Sequence, residues 1–137
     1  MEFLYVGSQF SKLTYIKPIN VTSKDIRYSH TCASGNMGLA VILGLQYNPN
    51  QAHLEEHEGS LSFVINEKFD VPPIYLYTVP PQGFQRLHPE SGRILVTNQE
   101  VVCLDKLNVD NPLEFAKMNG VIIVDNTKKP ISLVLGS

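Results

Sequence analysis

The residues with the most obvious capacity for chemistry are those of "HLEEH", His53 to His57. The order fits H-x-x-E-H, in which two histidines one helical turn apart hold a zinc ion and a glutamate activates its bound water. Glu56 would be that base. The flanking "YNPNQ" and "EGS" read as a solvated surface turn, and no third ligand is suggested nearby. An exposed charged helix or loop is therefore expected in place of a metal centre. Glu100 is the other carboxylate of interest. It lies in "TNQEVV", a polar trio between two strands, and one carboxylate at the lip of a sheet can steady an oxocarbenium-like sugar centre. A hairpin tip with polar residues accounts for the same letters. His30 falls in a run read as a strand, where a lone histidine more often makes a structural hydrogen bond. His88 sits in the loop before "PESG", with nothing paired to it in sequence.

Cys32 and Cys103 are the only two cysteines. They share no C-x-x-C spacing, which excludes a cysteine-rich zinc site. Both fall in apolar strands and read as reduced core thiols, because a reactive thiolate wants a basic or helix-N-terminal setting. That usage suggests a cytoplasmic protein. No G-x-G-x-x-G, P-loop or G-x-S-x-G occurs, and no hydrolase triad can be assembled.

These residues need a scaffold, and the chain is long enough to build one. Its 137 residues suit a single domain over 1–137, and 43% hydrophobic with 18% charged residues allows a packed core. The net charge of -2 and the lack of a long basic stretch disfavour wrapping of nucleic acid; a pocket for one nucleotide stays open. "MEFLYVGSQF" has no basic region before an apolar run, and "LAVILGL" is too short to cross a bilayer, so no signal peptide and no membrane span are expected.

Residues 2–6 read as a strand ended by Gly7, and "SKLTYIKPIN" as a connection closed by Pro18. "DIRYSHTCA", 25–33, reads as a strand through the partial alternation of Ile26, Tyr28 and Cys32. Ser34 is the expected N-cap of a buried helix carrying Leu39, Ile42, Leu43 and Gln46, ended by Pro49. Gly38 and Gly44 weaken that helix by about 1 kcal/mol each relative to Ala. "LSFVIN" is a strand before the turn-like "EKFD". "IYLYTV", 74–79, is a strand fenced by Pro72-Pro73 and Pro80-Pro81, which places it near a sheet edge. "GFQRLHPESG" is a loop, and "RILVT" and "EVVCL" are strands. "DNPLEFAKMNG" is a helix with Asn111 as N-cap, Pro112 at its first position, Glu114 as capping-box partner and Gly120 as terminator. "VIIV", 121–124, is a buried strand, and "ISLVL" can add another. Strands and helices do not alternate regularly, which argues for an α+β fold.

Two stretches, taken together, resemble a known family. "FLYVGSQFSKLTYIKP" is similar to the L-Y-H-G-S or L-Y-H-G-T opening of small bacterial and phage proteins with the ADP-ribosyltransferase-like fold. "HTCASGNMGLAVILGL" resembles their next element, a strand ending Y-A-T or F-A-S followed by an L-A-x-x-x-A-L helix. "GSLSFVINEKFD" and "RILVTNQEVVCLDKL" resemble the later strands, the second near the family's catalytic glutamate. The resemblance implies two facing, mostly antiparallel sheets with two or three short helices, and NAD in the cleft between the sheets. It implies that Gly7 and Ser8 lend backbone groups to the cofactor, that Ser34 borders it, and that Glu100 is the catalytic carboxylate. Val6 stands where the family has its ribose-holding histidine, and Cys32 where it has its stacking aromatic. Val6 offers no side-chain hydrogen bond, and Cys32 offers no ring face. Tyr28 or His30 would have to substitute.

Two functions are therefore expected as alternatives. One is an ADP-ribosyltransferase-like protein with an NAD or nucleotide cleft and degenerate catalytic residues. The other is a non-enzymatic α+β interaction module of phage or mobile-element origin, pairing with a protein partner through the edge strand "IYLYTV".

Overall fold

A computed structural model describes residues 2–87 and 93–127. His88 and "ISLVL" lie outside the described residues. The elements run β1 (Leu4–Ser8), β2 (Tyr15–Ile16), α1 (Ile26–Ser29), β3 (Thr31–Ala33), α2 (Met37–Leu43), β4 (Ala52–His57), β5 (Ser60–Ile65), β6 (Ile74–Val79), β7 (Gln85–Arg86), β8 (Leu95–Thr97), β9 (Val101–Val102), β10 (Asp105–Val109), α3 (Pro112–Met118) and β11 (Ile122–Asp125). This is the expected mixed α+β class. The sheets are smaller and more numerous than the expected two: β1-β6-β10, β11-β5-β4, β2-β9 and β3-β8-β7. All pairings are antiparallel except β11 with β5. A single bridge, Tyr5 to Ser34, ties β1 to β3 and so joins two of the sheets edge to edge.

The β1-β6-β10 sheet lies between two apolar cores. Strand side chains alternate between faces, and the register sets Gly7 opposite Leu76 and Val6 opposite Tyr77. One face carries Leu76 and Ile74 into a core with Leu39, Ile42, Phe63 and Ala116. The other carries Leu4, Val6, Tyr77 and Val79 into a core with Ile16 and Val101. Helix α2 is buried from Gly38 to Ile42, which explains how so apolar a helix, containing glycine, survives.

Gly7 and Gly44 are where α2 meets β1. A Cβ on Gly7 would lie 2.4 Å from the Ala40 carbonyl oxygen, and one on Gly44 would lie 2.6 Å from the Gly7 carbonyl carbon. The backbones touch with no room for a side chain on either.

Helix α3 forms as read. Asn111 Oδ1 accepts from the Glu114 N–H, Pro112 opens the first turn, and Gly120 follows the end at φ 92°. The Glu114 carboxylate pairs forward with Lys117 at 3.7 Å.

Several expectations are corrected. Residues 25–33 are not one strand: Ile26–Ser29 turn into α1, and only Thr31–Ala33 form β3. Asp25 caps the turn by accepting from the Arg27 N–H at 3.0 Å, and Ser23 Oγ accepts from the Asp25 N–H at 3.1 Å. Such local side-chain bonds hold a helical turn without a partner strand. The N-cap of α2 is Asn36, whose Oδ1 accepts from the Leu39 N–H, while Ser34 bridges to Tyr5. "HLEEH" is strand β4, turning into β5 through Glu58 and Gly59 at φ 51° and 81°. Positive φ at both central residues suits a two-residue hairpin. "IYLYTV" is the central strand of its sheet, between β1 and β10. Its prolines lie outside Ile74–Val79, so every ladder N–H within the strand is present. "VIIV" is not fully buried: Val121 is, but Ile122 is 50% exposed on the edge strand β11. "SKLTYIKPIN" contains β2 and "GFQRLHPESG" contains β7. Strand β10 has no counterpart in the sequence reading, because four of its five residues are exposed.

No helix among the described residues is long and apolar enough to cross a membrane.

Candidate functional site

The site begins at the Tyr5–Ser34 bridge. Tyr5 N–H donates to the Ser34 carbonyl at 2.9 Å, and Ser34 N–H donates to the Tyr5 carbonyl at 3.0 Å. In a strand the N–H and C=O of alternate residues point to the same side. Gly7 therefore turns its backbone groups to the side Tyr5 uses, and Cys32 to the side Ser34 uses. The pairing of β1 with β3 stops at the bridge. Beyond it, Gly7 and Cys32 both border a cavity of about 360 Å³. The Gly7 N–H and the Cys32 N–H and C=O thus face a side where no strand pairs with them, while the Gly7 carbonyl packs against Gly44.

Three further walls complete the cavity. The end of α2 supplies Leu43 and Gly44, and α1 with the start of β3 supplies Tyr28, His30 and Thr31. The segment from Phe10 to Ile19 covers it. Tyr77, almost fully buried in the second core, pins that segment: its hydroxyl donates to the Phe10 carbonyl at 2.7 Å and accepts from the Leu13 N–H at 3.2 Å. Gln9 Nε2 donates to the Leu45 carbonyl at 3.2 Å. Phe10, Tyr15 and Ile19 stand at the mouth, each more than half exposed.

The polar groups of the walls have distinct partners. Arg27 donates to both Asp25 carboxylate oxygens, at 3.2 and 2.8 Å, and to the Tyr47 carbonyl at 2.6 Å. That hydrogen bonding lowers the Asp25 pKa and raises that of Arg27. His30 Nδ1 lies 2.8 Å from the buried Ser29 Oγ. The Cys32 thiol is pushed up to about 11, first by burial and then by the Asp25 charge, with Arg27 opposing. It is a neutral, soft wall atom at physiological pH. Burial also raises Cys103, which lies outside this cavity and, like Cys32, is a free thiol. Neither thiol is fully buried. Thr31 Oγ1 is buried with no hydrogen-bond partner among the described residues.

Among the residues singled out from the sequence, Gly7, Ser8 and Tyr28 line one cavity. Ser8 Oγ accepts from the Phe10 N–H at 3.1 Å. Ser34 is buried and does not line the cavity, and its Oγ accepts from the Asn36 N–H at 3.0 Å. Glu100 lines a neighbouring depression of about 310 Å³ with Thr97 and Gln99. Tyr15 lines both this depression and the main cavity, and Lys17 of the cavity wall has its Nζ 3.7 Å from Glu100 Oε2. Both partners are well exposed, so the pair contributes at most about 1 kcal/mol. Val6 and Cys32 also border the cavity.

The geometry of "HLEEH" does not suit a metal. On β4 the side chains of His53 and His57 share a face but stand about 13 Å apart along the strand. His53 Nε2 meets Glu55 Oε1 at 2.8 Å, and Glu56 pairs with Arg93 Nε at 3.2 Å. Among the described residues no group of three or more His, Cys, Asp or Glu is gathered for a metal ion.

Sequence reading missed the cover formed by Phe10, Leu13 and Ile16, the last two read as part of a connection, and the Arg27 clamp. The available signals were the apolar residue at every third place from Phe10 to Ile16, and Asp25 two residues before Arg27. Comparison of the chain with protein-family models, curated proteins and solved structures yields no match.

Proposed function

We propose that the chain is an ADP-ribosyltransferase-like protein that binds NAD or a related nucleotide in the β1–β3 cavity without transferring its ADP-ribose. The observation that carries this reading is the gap beyond the Tyr5–Ser34 bridge, where Gly7 and Cys32 offer backbone donors and acceptors. A carboxamide presents one acceptor and two donors on a planar group, and a strand edge answers both kinds. A volume of about 360 Å³ is in the range of small-ligand sites. Apolar Val6 and the neutral Cys32 thiol suit a ring face, and exposed Lys17 at the rim suits a phosphate.

Transfer chemistry lacks its groups. Val6 can neither hold a ribose hydroxyl nor move a proton. Glu100 is on the far side of Lys17, in another depression. That carboxylate is paired with Lys17 and is not among the residues lining the cavity. Binding without turnover follows.

The test is an amide NMR titration with NAD, ADP-ribose and nicotinamide. Shifts are expected at Gly7, Tyr28 and Cys32 and not at Leu61 or Phe63 in the remote sheet. Absence of shifts at Gly7 and Cys32 with millimolar NAD would sink the proposal. A labelled-NAD transfer assay is expected to give the same background for the native chain and Glu100→Ala. A strand-pairing role now rests on the β10 edge, since β6 is central. There Asp105 Oδ1 already accepts the Lys106 N–H at 2.8 Å, which blunts that edge.

A further inference from the structure

We infer that Glu100 is a built-in competitor for the ligand of the β1–β3 cavity: at rest it holds Lys17, and an organic anion with an apolar body binds by taking Lys17 from it. The inference rests on the cavity being a binding site and does not require the ligand to be a nucleotide. The cavity bears the cations Lys17 and Arg27 and the ring of His30, and no Asp or Glu is among its described lining residues. The chain as a whole has 13 Asp and Glu against 11 Lys and Arg, so this wall departs from the general balance towards positive charge. Its apolar lining includes Leu13, Ile16 and Leu43, and Phe10, Tyr15 and Ile19 are more than half exposed at its mouth. An apolar body with one anionic end matches that distribution.

The two cations are held differently. Arg27 makes three hydrogen bonds, two to the Asp25 carboxylate at 3.2 and 2.8 Å and one to the Tyr47 carbonyl at 2.6 Å, and its rigid fork is thereby committed. Lys17 makes no hydrogen bond among the described residues and has one ionic partner there, Glu100 Oε2 at 3.7 Å. That separation is outside hydrogen-bond range, and the two side chains are 70% and 46% exposed. Lys17 is thus the exchangeable cation. Its backbone is fixed while its head is not. Ile16, before it, pairs with Val101. Pro18, after it, holds Lys17 itself to extended backbone, and the Asn20 N–H donates to the Tyr28 carbonyl at 2.8 Å. The flexible stem can carry the ammonium from Glu100 to the cavity with the walls unchanged. Tyr15 lines both the cavity and the Glu100 depression, so the two positions lie side by side.

The experiment titrates phenyl phosphate, benzoate and phenol into the native chain, Glu100→Gln, Lys17→Met and the double variant. Amide NMR gives the affinities, and the Glu100 carboxylate carbon is followed alongside. Phenyl phosphate is expected to bind tightest, phenol weakest and benzoate between them. Glu100→Gln should tighten phenyl phosphate about threefold to fivefold, fivefold being about 1 kcal/mol and the ceiling for a surface ion pair, and leave phenol unchanged. Lys17→Met should weaken phenyl phosphate about tenfold, the loss of a charge-assisted contact, and in that background Glu100→Gln should change nothing. In the native chain the Glu100 carbon should move with phenyl phosphate and not with phenol, a readout that needs no variant to fold. If phenyl phosphate shifts Gly7 and Cys32 while the Glu100 carbon stays still and Glu100→Gln binds equally well, the competitor role is overturned. If phenyl phosphate binds no better than phenol, the anion class is overturned with it. If NAD leaves Gly7 and Cys32 still while phenyl phosphate moves them and the Glu100 carbon, the nucleotide reading fails and this inference stands.

Discussion

Replacing Gly7 by alanine tests the relation between β1 and α2. The new Cβ would sit 2.4 Å from the Ala40 carbonyl oxygen and 3.2 Å from both the Ala40 carbonyl carbon and the Val41 Cα. Relief requires a shift of about 1 Å, and the obstacle is helix backbone, which cannot rotate away as a side chain can. The same Ala40 carbonyl accepts the Gly44 N–H at 3.2 Å, so moving it loosens the last turn of α2. Overpacking a core ordinarily costs about 1–3 kcal/mol. A backbone obstacle puts Gly7→Ala at or above about 3 kcal/mol, less roughly 0.5 kcal/mol regained from the entropy that glycine loses on folding. Urea unfolding with a constant slope is the assay. Gly44→Ala meets Gly7 at 2.6, 2.8 and 2.9 Å, and one separation of α2 from β1 relieves both clashes. The double variant should therefore lose at least about 1 kcal/mol less than the sum of the singles. A Gly7→Ala loss below about 1 kcal/mol, or strict additivity, would refute the close-approach argument. The glycine is thus required by packing, with or without a ligand. What points to a ligand is the direction of its N–H, since its carbonyl lies against Gly44.

Thr31→Val should stabilise the chain by about 1–2 kcal/mol, because it removes a buried hydroxyl that has no partner; a loss of stability in urea would show that the hydroxyl is satisfied. Stability should fall as pH rises from about 9 towards 11. The unfolded Cys32 thiol ionises near its ordinary value of 9.0, while the folded one, pushed up to about 11, keeps its proton. The folded state then binds more protons than the unfolded, and the loss amounts to roughly 2–3 kcal/mol above both values. Cys32→Ala should lack this part of the alkaline slope, and identical slopes for the two chains would count against it. Tyr77→Phe deletes the bonds to Phe10 and Leu13, so about 1–2 kcal/mol should be lost and the Leu13 amide should exchange faster. Unchanged exchange at Leu13 would mean that Tyr77 does not hold the cavity cover.

Legibility followed how local each cause was. Helix α3 could be read because Asn111, Pro112 and Gly120 act within one turn of the chain. Gly7, Ser8 and Tyr28 were singled out through the family resemblance and not through composition, and Tyr28 was given the wrong element. The alternation of Ile26 and Tyr28 has the period of a strand, and the capping by Asp25 that overrides it is a hydrogen bond, not a hydropathy signal. The place of β6 was misread because flanking prolines describe the ends of a strand, whereas its neighbours β1 and β10 are chosen by non-local pairing. Strand β10 shows no apolar alternation, since only Val109 of its five residues is buried. Glu100 was legible as a carboxylate between strands, but β8 and β9 pair with different sheets instead of each other. Glu100, in the connection between them, lines a different depression from Gly7.

The same non-local constraint explains why β1 offers a ligand its backbone and little else. Leu4 and Val6 point into the core shared with Tyr77 and Val79. Tyr5 packs against the core on the opposite face, and Gly7 is pressed against α2. Val6 is only 5% exposed, so an ionisable ring there would have to displace core contacts or lie unpaired among them. Apart from Ser8, which borders the cavity, the side chains of this strand are taken up by the two cores, and what remains is the edge left open beyond the Tyr5–Ser34 bridge. Side-chain recognition then has to come from the elements across the gap. Those are α1 and the run into β3, where Tyr28, His30 and Cys32 stand.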